Sequence, residues 1–297
     1  MNSPWQTLNS EKKNEFIFWD SHYLIEEKTR FGKCIRWIGI TMKDISYERF
    51  SLLCNNLKNK NFIGIINAIP NYYNDIEEEY NLYEKNGFTV DYKWGTYLLD
   101  IDAPIDIIKK GMSNSLKRNI KKLEKYDYSL KDISFDESVM LDFKKIYYEA
   151  RSRENIGLKD NFENCLSMTR YSKNRKYFVL YIDKIPVACQ GICYNSDVAI
   201  ENILAISNYA HDNRIYAGDL LKWKIIEWCK DKNIKIYDFA GVSPSPINAK
   251  EVGIKNYKAK WGGRYLEYNV YAKSLSIRFI IYKKIKYILK NILKHKK

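Results

Sequence analysis

The stretch YAGDLLKWKIIEWCKDKNIKIYDFAG, residues 216–241, decides the fold. Its first part predicts a helix, and its second part, IKIYDFAG, predicts a buried strand that ends beside Asp238. Two helices and a set of paired strands are predicted before it, and the segment NYKAKWGGRYLEYNVYA, residues 256–272, follows it. Helices and strands in this mixed order predict an α+β fold.

The first hundred residues add a further set of elements. Apolar patterning predicts strands at about 16–26, 33–40 and 62–69, and helices at about 46–58 and 76–85. The chain of 297 residues is long enough for two domains. Because no low-complexity linker separates these parts, we expect two lobes that pack tightly.

The missing motifs exclude several enzyme classes. The chain holds three histidines, and the patterns GxSxG, GxxxxGK[ST], GxGxxG and HExxH are absent. The chain therefore lacks the signatures of serine hydrolases, P-loop NTPases, Rossmann dehydrogenases and zinc proteases. The six cysteines lie in apolar surroundings without the spacing of a zinc site, which predicts buried free thiols and no bound metal.

Most of the net charge of +14 lies in two segments, of which one is C-terminal. From Lys273 to Lys297 there are nine basic residues and no acidic one. Isoleucines at positions 277, 281, 285, 288 and 292 fall on one side of a predicted helix. We expect residues 274–297 to bind an anionic membrane surface. The alternative is a terminal helix whose isoleucines pack on the core.

The second basic segment also predicts a helix. Between Lys109 and Lys125 there are seven basic residues and one acidic residue. Arg118 belongs to a run that offers contacts to phosphate groups. Cations near a helix C-terminus also interact favourably with the helix dipole, which is the alternative explanation.

The order of the elements, with the residues that fill them, resembles the Fem-type branch of the GNAT acyltransferase superfamily. The likeness involves SPWQT at residues 3–7, the strand and basic helix at 96–125, and YYEARSRENIG at 147–157. It also involves residues 216–241 and NYKAKWGG at 256–263, an aromatic-Lys-x-x-aromatic-Gly element. The resemblance implies two GNAT-like lobes. An abbreviated first lobe covers residues 1–100, an acyltransferase lobe covers 101–272, and a basic amphipathic helix covers 273–297.

The resemblance also implies a site for the acyl donor, in which a loop and a helix N-terminus hold phosphate. In this chain the loop would contain Asn213, Arg214, Tyr216 and Gly218. The family's (Q/R)xxGx(G/A) pattern is not met, because Asp219 occupies its last small position. Simple helix-start geometry is the alternative explanation of Gly218.

Lys258 is the first catalytic candidate, since it matches the lysine that is thought to stabilise negative charge in Fem-like enzymes. Tyr257, Trp261 and Gly262 complete the element as substrate-binding candidates, with the glycine allowing a close backbone approach. As one of 50 basic residues, Lys258 could equally be an ordinary surface lysine.

Asp238 is the second catalytic candidate. A carboxylate at the end of a buried strand could orient or deprotonate an attacking amine, or it could cap the following turn. Arg151 and Arg153 end a predicted helix and suit a phosphorylated acceptor through bidentate geometry. Their alternative role is to supply charge at the helix C-terminus.

The combined prediction is an N-acyltransferase that works by direct attack within a ternary complex, without a tightly bound cofactor. It would transfer an aminoacyl group from aminoacyl-tRNA to an amine of a cell-envelope precursor such as a peptidoglycan peptide. An acyl-CoA donor with an amino sugar or lipid-linked glycan as acceptor stays open, as does an inactive membrane-docking module. The expected location is the cytoplasm, with peripheral attachment to the inner face of the cell membrane.

Overall fold

The computed structural model describes residues 16–19, 22–38, 41–43, 45–73, 75–134, 136–154 and 174–295. The SPWQT stretch at residues 3–7, Cys165 and the end of YYEARSRENIG lie outside the described residues.

Strands and helices alternate without a fixed repeat, which confirms the predicted α+β class. The strands are β1 (Phe16–Trp19), β2 (His22–Thr29), β3 (Gly32–Ile38), β4 (Phe62–Ile69), β5 (Thr89–Asp100), β6 (Tyr128–Asp132), β7 (Arg175–Ile182), β8 (Ile185–Tyr194), β9 (Val198–Ile206), β10 (Ile236–Asp238) and β11 (Arg264–Ser274). The helices are α1 (Tyr47–Asn59), α2 (Ile76–Lys85), α3 (Ile105–Gly111), α4 (Asn114–Leu123), α5 (Glu137–Arg153), α6 (Asn208–Asp212), α7 (Ala217–Asp231), α8 (Ala249–Ala259) and α9 (Ile277–His295).

Two compact units divide the chain. The first contains the described residues up to Trp94 and those from Tyr268 onward, and the second is Gly95–Glu267. The predicted boundaries were residues 100 and 272, with 273–297 standing apart. In the structure the boundaries between the units lie within the long strands β5 and β11, and α9 belongs to the first unit.

In the first unit, aromatic side chains fill the core. The rings of Trp37, Phe50 and Phe88 lie within about 6 Å of one another, and the indole N–H of Trp37 donates to the hydroxyl of Tyr83 at 3.0 Å. The strands follow the order β1-β2-β3-β4-β11-β5, in which β3 and β4 are parallel. The two flanking helices begin at Ser46 and Asp75, whose side chains accept first-turn N–H groups.

In the second unit, helices cover both faces of a sheet in the order β5-β10-β9-β8-β7-β6. Successive residues of a strand point to opposite faces, and β7 shows this directly. Phe178, Leu180 and Ile182 join the core with α3, α4 and α7, whereas Tyr177 and Val179 join the core with α5. The cysteines of the described residues are buried, as predicted.

Candidate active site

The parallel strands β9 and β10 pair over a short length and then separate. Residues 236–238 lie opposite residues 198–200, while β9 continues to Ile206. Asp238 is therefore the last paired residue of β10. Beyond it the chain turns to an isolated bridge between Val242 and Gly95, so that the far part of β9 has no strand partner on that side among the described residues.

Helix α7 begins beside this opening, and its start lacks a capping side chain. Tyr216 occupies the N-cap position without a side-chain hydrogen bond, whereas Ser, Asp or Asn caps α1, α2, α4, α5, α6 and α8. Within the described residues, the N–H groups of Ala217 and Gly218 have no acceptor. Free first-turn N–H groups and the helix dipole favour an anion at this end of a helix.

A pocket of about 480 Å³ lies over this helix start. Five of the predicted site residues line it: Arg153, Arg214, Tyr216, Gly218 and Tyr257. Its volume lies within the usual range for small-molecule sites, roughly 300–1,000 Å³. The structure thus brings most of the predicted donor loop together with one residue of the aromatic-Lys element.

Asp219 adds a carboxylate to this pocket. It is buried, and one of its oxygens accepts a hydrogen bond from the Asn119 amide at 2.8 Å. Burial raises the pKa of the Asp219 carboxyl, and the bond from Asn119 acts in the opposite direction. A carboxyl of raised pKa in a pocket is a candidate for exchanging a proton with a bound substrate.

Tyr257 places a phenol at the same pocket. Its hydroxyl is buried close to the Asp219 carboxyl, and it lies 3.7 Å from the position that a Cβ on Gly218 would occupy. Burial raises the pKa of Tyr257 well above its usual value, and the charge of Asp219 raises it further. The phenol therefore keeps its proton and has one to donate.

Lys258 points inward rather than into solvent. Its Nζ donates to the carbonyl oxygens of Ala240 at 3.2 Å and Gly241 at 3.1 Å, in the segment just beyond the strand separation. Burial lowers the pKa of the Lys258 ammonium; Glu201 opposes this effect, and Lys222 adds to it. An ammonium has three N–H donors, so one remains for a substrate oxygen.

Asp238 is fully buried and makes the contacts of a turn cap. Its Oδ1 accepts from the backbone N–H of Ala240 at 2.7 Å and from the hydroxyl of Thr96 at 2.5 Å. Ala240 has a φ of +55°, a conformation that non-glycine residues adopt rarely, and the Asp238 contact holds it there. Asp238 thus caps the turn that follows β10, which was its alternative role. A catalytic role of Asp238 stays a prediction.

A buried ion pair lies behind Lys258 and was not predicted. Lys222 of α7 is fully buried and pairs with the Glu201 carboxylate of β9. That carboxylate also accepts from the Tyr237 hydroxyl at 3.2 Å and from the Gln190 amide at 3.3 Å. The ammonium of Lys222 faces the rings of Phe239, Tyr257 and Trp261 at 5.1, 4.8 and 5.8 Å.

Two other residues of the aromatic-Lys element lie in packed surroundings. Trp261 is fully buried in the core of the second unit. Gly262 has a φ of +78°, and a Cβ there would lie 2.4 Å from the carbonyl oxygen of Gly111. Packing accounts for both residues, and the close backbone approach predicted at Gly262 is to α3 rather than to a substrate.

The other predicted residues lie around the pocket or apart from it. Arg153 donates to the Asn208 side chain at 2.5 Å and to the Ile206 carbonyl at 3.0 Å, while Arg151 lines a neighbouring pocket of about 340 Å³. Asn213 is exposed, and its side-chain amide donates to the carbonyl oxygen of Tyr209 in α6. Arg118 is exposed on α4.

Sequence reasoning missed Asp219, Asn119, Lys222 and Glu201. Asp219 stood at the last position of the donor pattern, and a charged residue at a position that favours a small one was the available signal. Lys222 gave no such signal, because a lysine in an amphipathic helix predicts an exposed side chain.

Within the described residues, no group of three or more His, Cys, Asp or Glu side chains lies close enough to hold a metal ion. Nor is any helix in that part of the chain both long and apolar enough to cross a bilayer.

A family model for the acetyltransferase (GNAT) domain matches residues 110–259, which include the pocket, α7 and α8. No curated protein matches the sequence.

Several solved structures share the fold. The C-terminal DUF2156 domain of a candidate lysylphosphatidylglycerol synthetase from Agrobacterium fabrum has a TM-score of 0.69 at 11% identity, covering 96% of this chain and 92% of that chain. FemX has a TM-score of 0.68 at 11% identity, covering 95% and 93%. L-PGS from Bacillus licheniformis has a TM-score of 0.60 at 14% identity, covering 91% and 88%. These matches confirm the predicted two-lobe, Fem-like GNAT fold.

Proposed function

Because this chain belongs to the family of acetyltransferase (GNAT) domains, it is an acyltransferase, and we propose that it transfers an aminoacyl group from aminoacyl-tRNA to an amine of a cell-envelope precursor. The observation that supports this most directly is the pocket over the uncapped start of α7. There, free N–H groups, a buried carboxyl and a buried phenol hydroxyl surround one cavity. A donor phosphate would bind the N–H groups, with Arg214 beside it.

The same residues supply the chemistry of a direct transfer. The amine nitrogen attacks the acyl carbon, and the carbonyl electrons move onto oxygen, where the third N–H of Lys258 stabilises the negative charge. Asp219 accepts the proton that the amine loses. When the carbon–oxygen bond to the tRNA ribose breaks, Tyr257 protonates the departing oxygen. In this proposal both substrates lie within one cleft, and their orientation there supplies part of the rate enhancement.

The surface of α4 favours tRNA as the donor. Lys117, Arg118, Lys121, Lys122 and Lys125 belong to this helix and its end, and none pairs with a carboxylate in the described part of the chain. The helix adjoins the pocket directly, because Asn119 bonds to Asp219 in the first turn of α7. A basic face beside a donor site suits a polyanion longer than a single coenzyme.

Acyl-CoA is the second candidate donor, and the walls of the pocket favour it. Leu204, Ile206 and Ile215 line the cavity with apolar surface that would suit an acyl chain or a pantetheine arm. A coenzyme pyrophosphate would bind the same helix start, and a thiolate rather than a ribose oxygen would leave.

A cell-envelope acceptor is supported by the fold relatives. One of them is a domain named for lysylphosphatidylglycerol synthesis, a product that by its name joins an amino acid to a membrane lipid. In our proposal the acceptor presents an amine, for example on a peptidoglycan peptide, near the opening between β9 and the segment 239–242.

The test is a transfer assay with the full chain, labelled total aminoacyl-tRNA and an extract of envelope precursors, read by mass spectrometry. We expect label on a precursor amine, and we expect ribonuclease treatment of the donor to abolish it. The double variant Arg118→Ala/Lys121→Ala should weaken tRNA binding and lower the slope of log K against log salt by about 2. The exposed Lys232, at the far end of α7, provides the matched control as Lys232→Ala.

Two results would contradict the proposal in different ways. Full activity with a purified acyl-CoA and no RNA would replace the donor and leave the acyltransferase intact. Absence of turnover with either donor, together with no binding of tRNA or CoA, would favour the inactive docking module.

A further inference from the structure

Helix α9 is held to the first unit by a face that the isoleucine pattern does not include. Phe279 is buried, and its ring lies 2.2 Å from where a Cβ of Gly64 would stand, so only glycine leaves room for it. Tyr282 packs against Phe31 with ring centres 5.8 Å apart, and Lys283 pairs with Asp91. These contacts fix which side of the helix faces the protein.

The opposite side of α9 is apolar and exposed. The exposed fractions of its large apolar side chains are 68% for Ile277, 44% for Ile280, 46% for Ile281, 36% for Ile285, 68% for Tyr287 and 54% for Ile288. Spacings of three and four residues place them on one strip of the helix. The alternative that the isoleucines pack on the core is therefore wrong for these described residues.

The charged residues within and beside this outward strip are all basic. Arg278 at its edge and Lys284 within it are exposed, and neither pairs with a carboxylate in the part of the chain that the structure describes. No acidic residue occurs anywhere from Lys273 to Lys297. An occupant of this face must therefore offer apolar surface together with negative charge.

We propose that the outward strip of α9 binds an anionic lipid bilayer, with the isoleucines among the acyl chains and the basic side chains at the headgroups. A second copy of the chain fits poorly, because two outward strips packed together would bring their basic side chains together. A lipid surface satisfies both requirements, and amphipathic helices of this kind lie roughly 5–10 Å deep in the interface. This inference does not depend on the identity of the acyl donor.

The test is vesicle flotation of the full chain. One set of vesicles is phosphatidylcholine alone, and the other contains about one third phosphatidylglycerol, which supplies the negative surface. We expect binding to the anionic vesicles only, with affinity that falls as salt is added. Ile281→Glu should weaken vesicle binding at least about tenfold, because it removes apolar surface that the bilayer would bury. The matched control is Leu52→Glu, a leucine of α1 that is 60% exposed in the same unit and should bind as the wild type does.

A charge variant separates headgroup attraction from apolar insertion. Lys284→Glu reverses one positive charge within the strip and should weaken binding about 25-fold, at about fivefold for each unit of charge. Because Ile281 is exposed, Ile281→Glu should also unfold at the wild-type temperature by circular dichroism.

Three results would overturn the inference. The wild type fails to float with anionic vesicles, or Ile281→Glu binds them as well as the wild type does. In the third, Ile281→Glu dissociates a dimer in analytical ultracentrifugation without affecting vesicle binding, which would assign the strip to contacts between copies of the chain.

Discussion

Replacing Lys258 with methionine removes the ammonium group while keeping most of the length and apolar volume of the side chain. The ammonium donates to the carbonyl oxygens of Ala240 and Gly241 at 3.2 and 3.1 Å, and its remaining N–H is available for a substrate oxygen. The variant therefore changes charge and hydrogen bonding with little change in packing.

Two effects set the magnitude. Hydrogen bonds to charged groups contribute about 1.5–3 kcal/mol, but burial lowers the pKa of Lys258, which means that the folded protein already disfavours the charged form. We therefore expect the free energy of unfolding to fall by about 2 kcal/mol or less. Removing a donor that stabilises an oxyanion typically lowers kcat by about 10²–10³. The effect on the rate should exceed the effect on stability.

The assay compares single-turnover transfer at saturating donor with urea unfolding of the same samples. Lys255→Met is the matched control, because Lys255 lies on the same helix and its Nζ also donates to a backbone carbonyl, that of Pro244 at 3.0 Å. We expect Lys258→Met to lose at least about 100-fold in rate with an unchanged donor Kd, and Lys255→Met to stay near the wild-type rate. Equal rates for the two variants would refute the role of Lys258 in the transfer.

Three further predictions follow from the second unit. Asp219→Asn should slow transfer by about 10²–10⁴ if the carboxyl accepts the amine proton. Because burial raises the pKa of Asp219, the wild type should lose stability relative to this variant as pH rises above the ordinary carboxyl range, which urea unfolding at acidic and neutral pH will show. Gly262→Ala should destabilise the protein by about 2 kcal/mol or more, because Gly262 has a positive φ and a Cβ there would clash with a backbone carbonyl. Gly253→Ala is the control: it lies on a helix with open space around it, and it should stabilise the protein by up to about 1 kcal/mol. Both effects are measured as a change in Tm. Glu201→Gln should move the alkaline decline of the transfer rate to lower pH, because the charge of Glu201 raises the pKa of Lys258. The same variant breaks a buried ion pair and should lower the free energy of unfolding by about 3–5 kcal/mol, measured by urea unfolding.

Local patterns were sufficient to predict the elements around the pocket, whereas the donor loop was predicted from the resemblance to Fem-type acyltransferases. The helix α7, the short strand β10 and the loop between β9 and α7 each follow from apolar spacing over a few residues. Arg214, Tyr216 and Gly218 line the pocket because they directly precede or begin that helix. Short-range patterns of this kind depend on neighbours along the chain.

Contacts between distant residues could not be predicted in the same way. Phe279 is buried because Gly64, more than two hundred positions earlier, leaves space for its ring. Because α9 carries apolar residues on several sides, periodicity alone could not decide whether the isoleucines pack on the core or face outward. The pairing of Lys222 with Glu201 depends likewise on how α7 lies against β9, a relation that neither segment specifies by itself.

The spacing of the aromatic-Lys-x-x-aromatic-Gly element has a physical explanation in α8. Adjacent helix residues point about 100° apart, so Tyr257 reaches the start of α7 while Lys258 reaches the segment after β10. Trp261 follows one turn later on the same side as this pair, and the rings of Tyr257 and Trp261 both face the Lys222 ammonium in the core. Gly262 ends the turn with positive φ, where a side chain would meet α3. The element thus combines Tyr257 and Lys258, which are available for chemistry, with Trp261 and Gly262, whose packing fixes the end of α8. If only the charge of the lysine were needed, the spacing of the aromatic residues and the glycine would not matter.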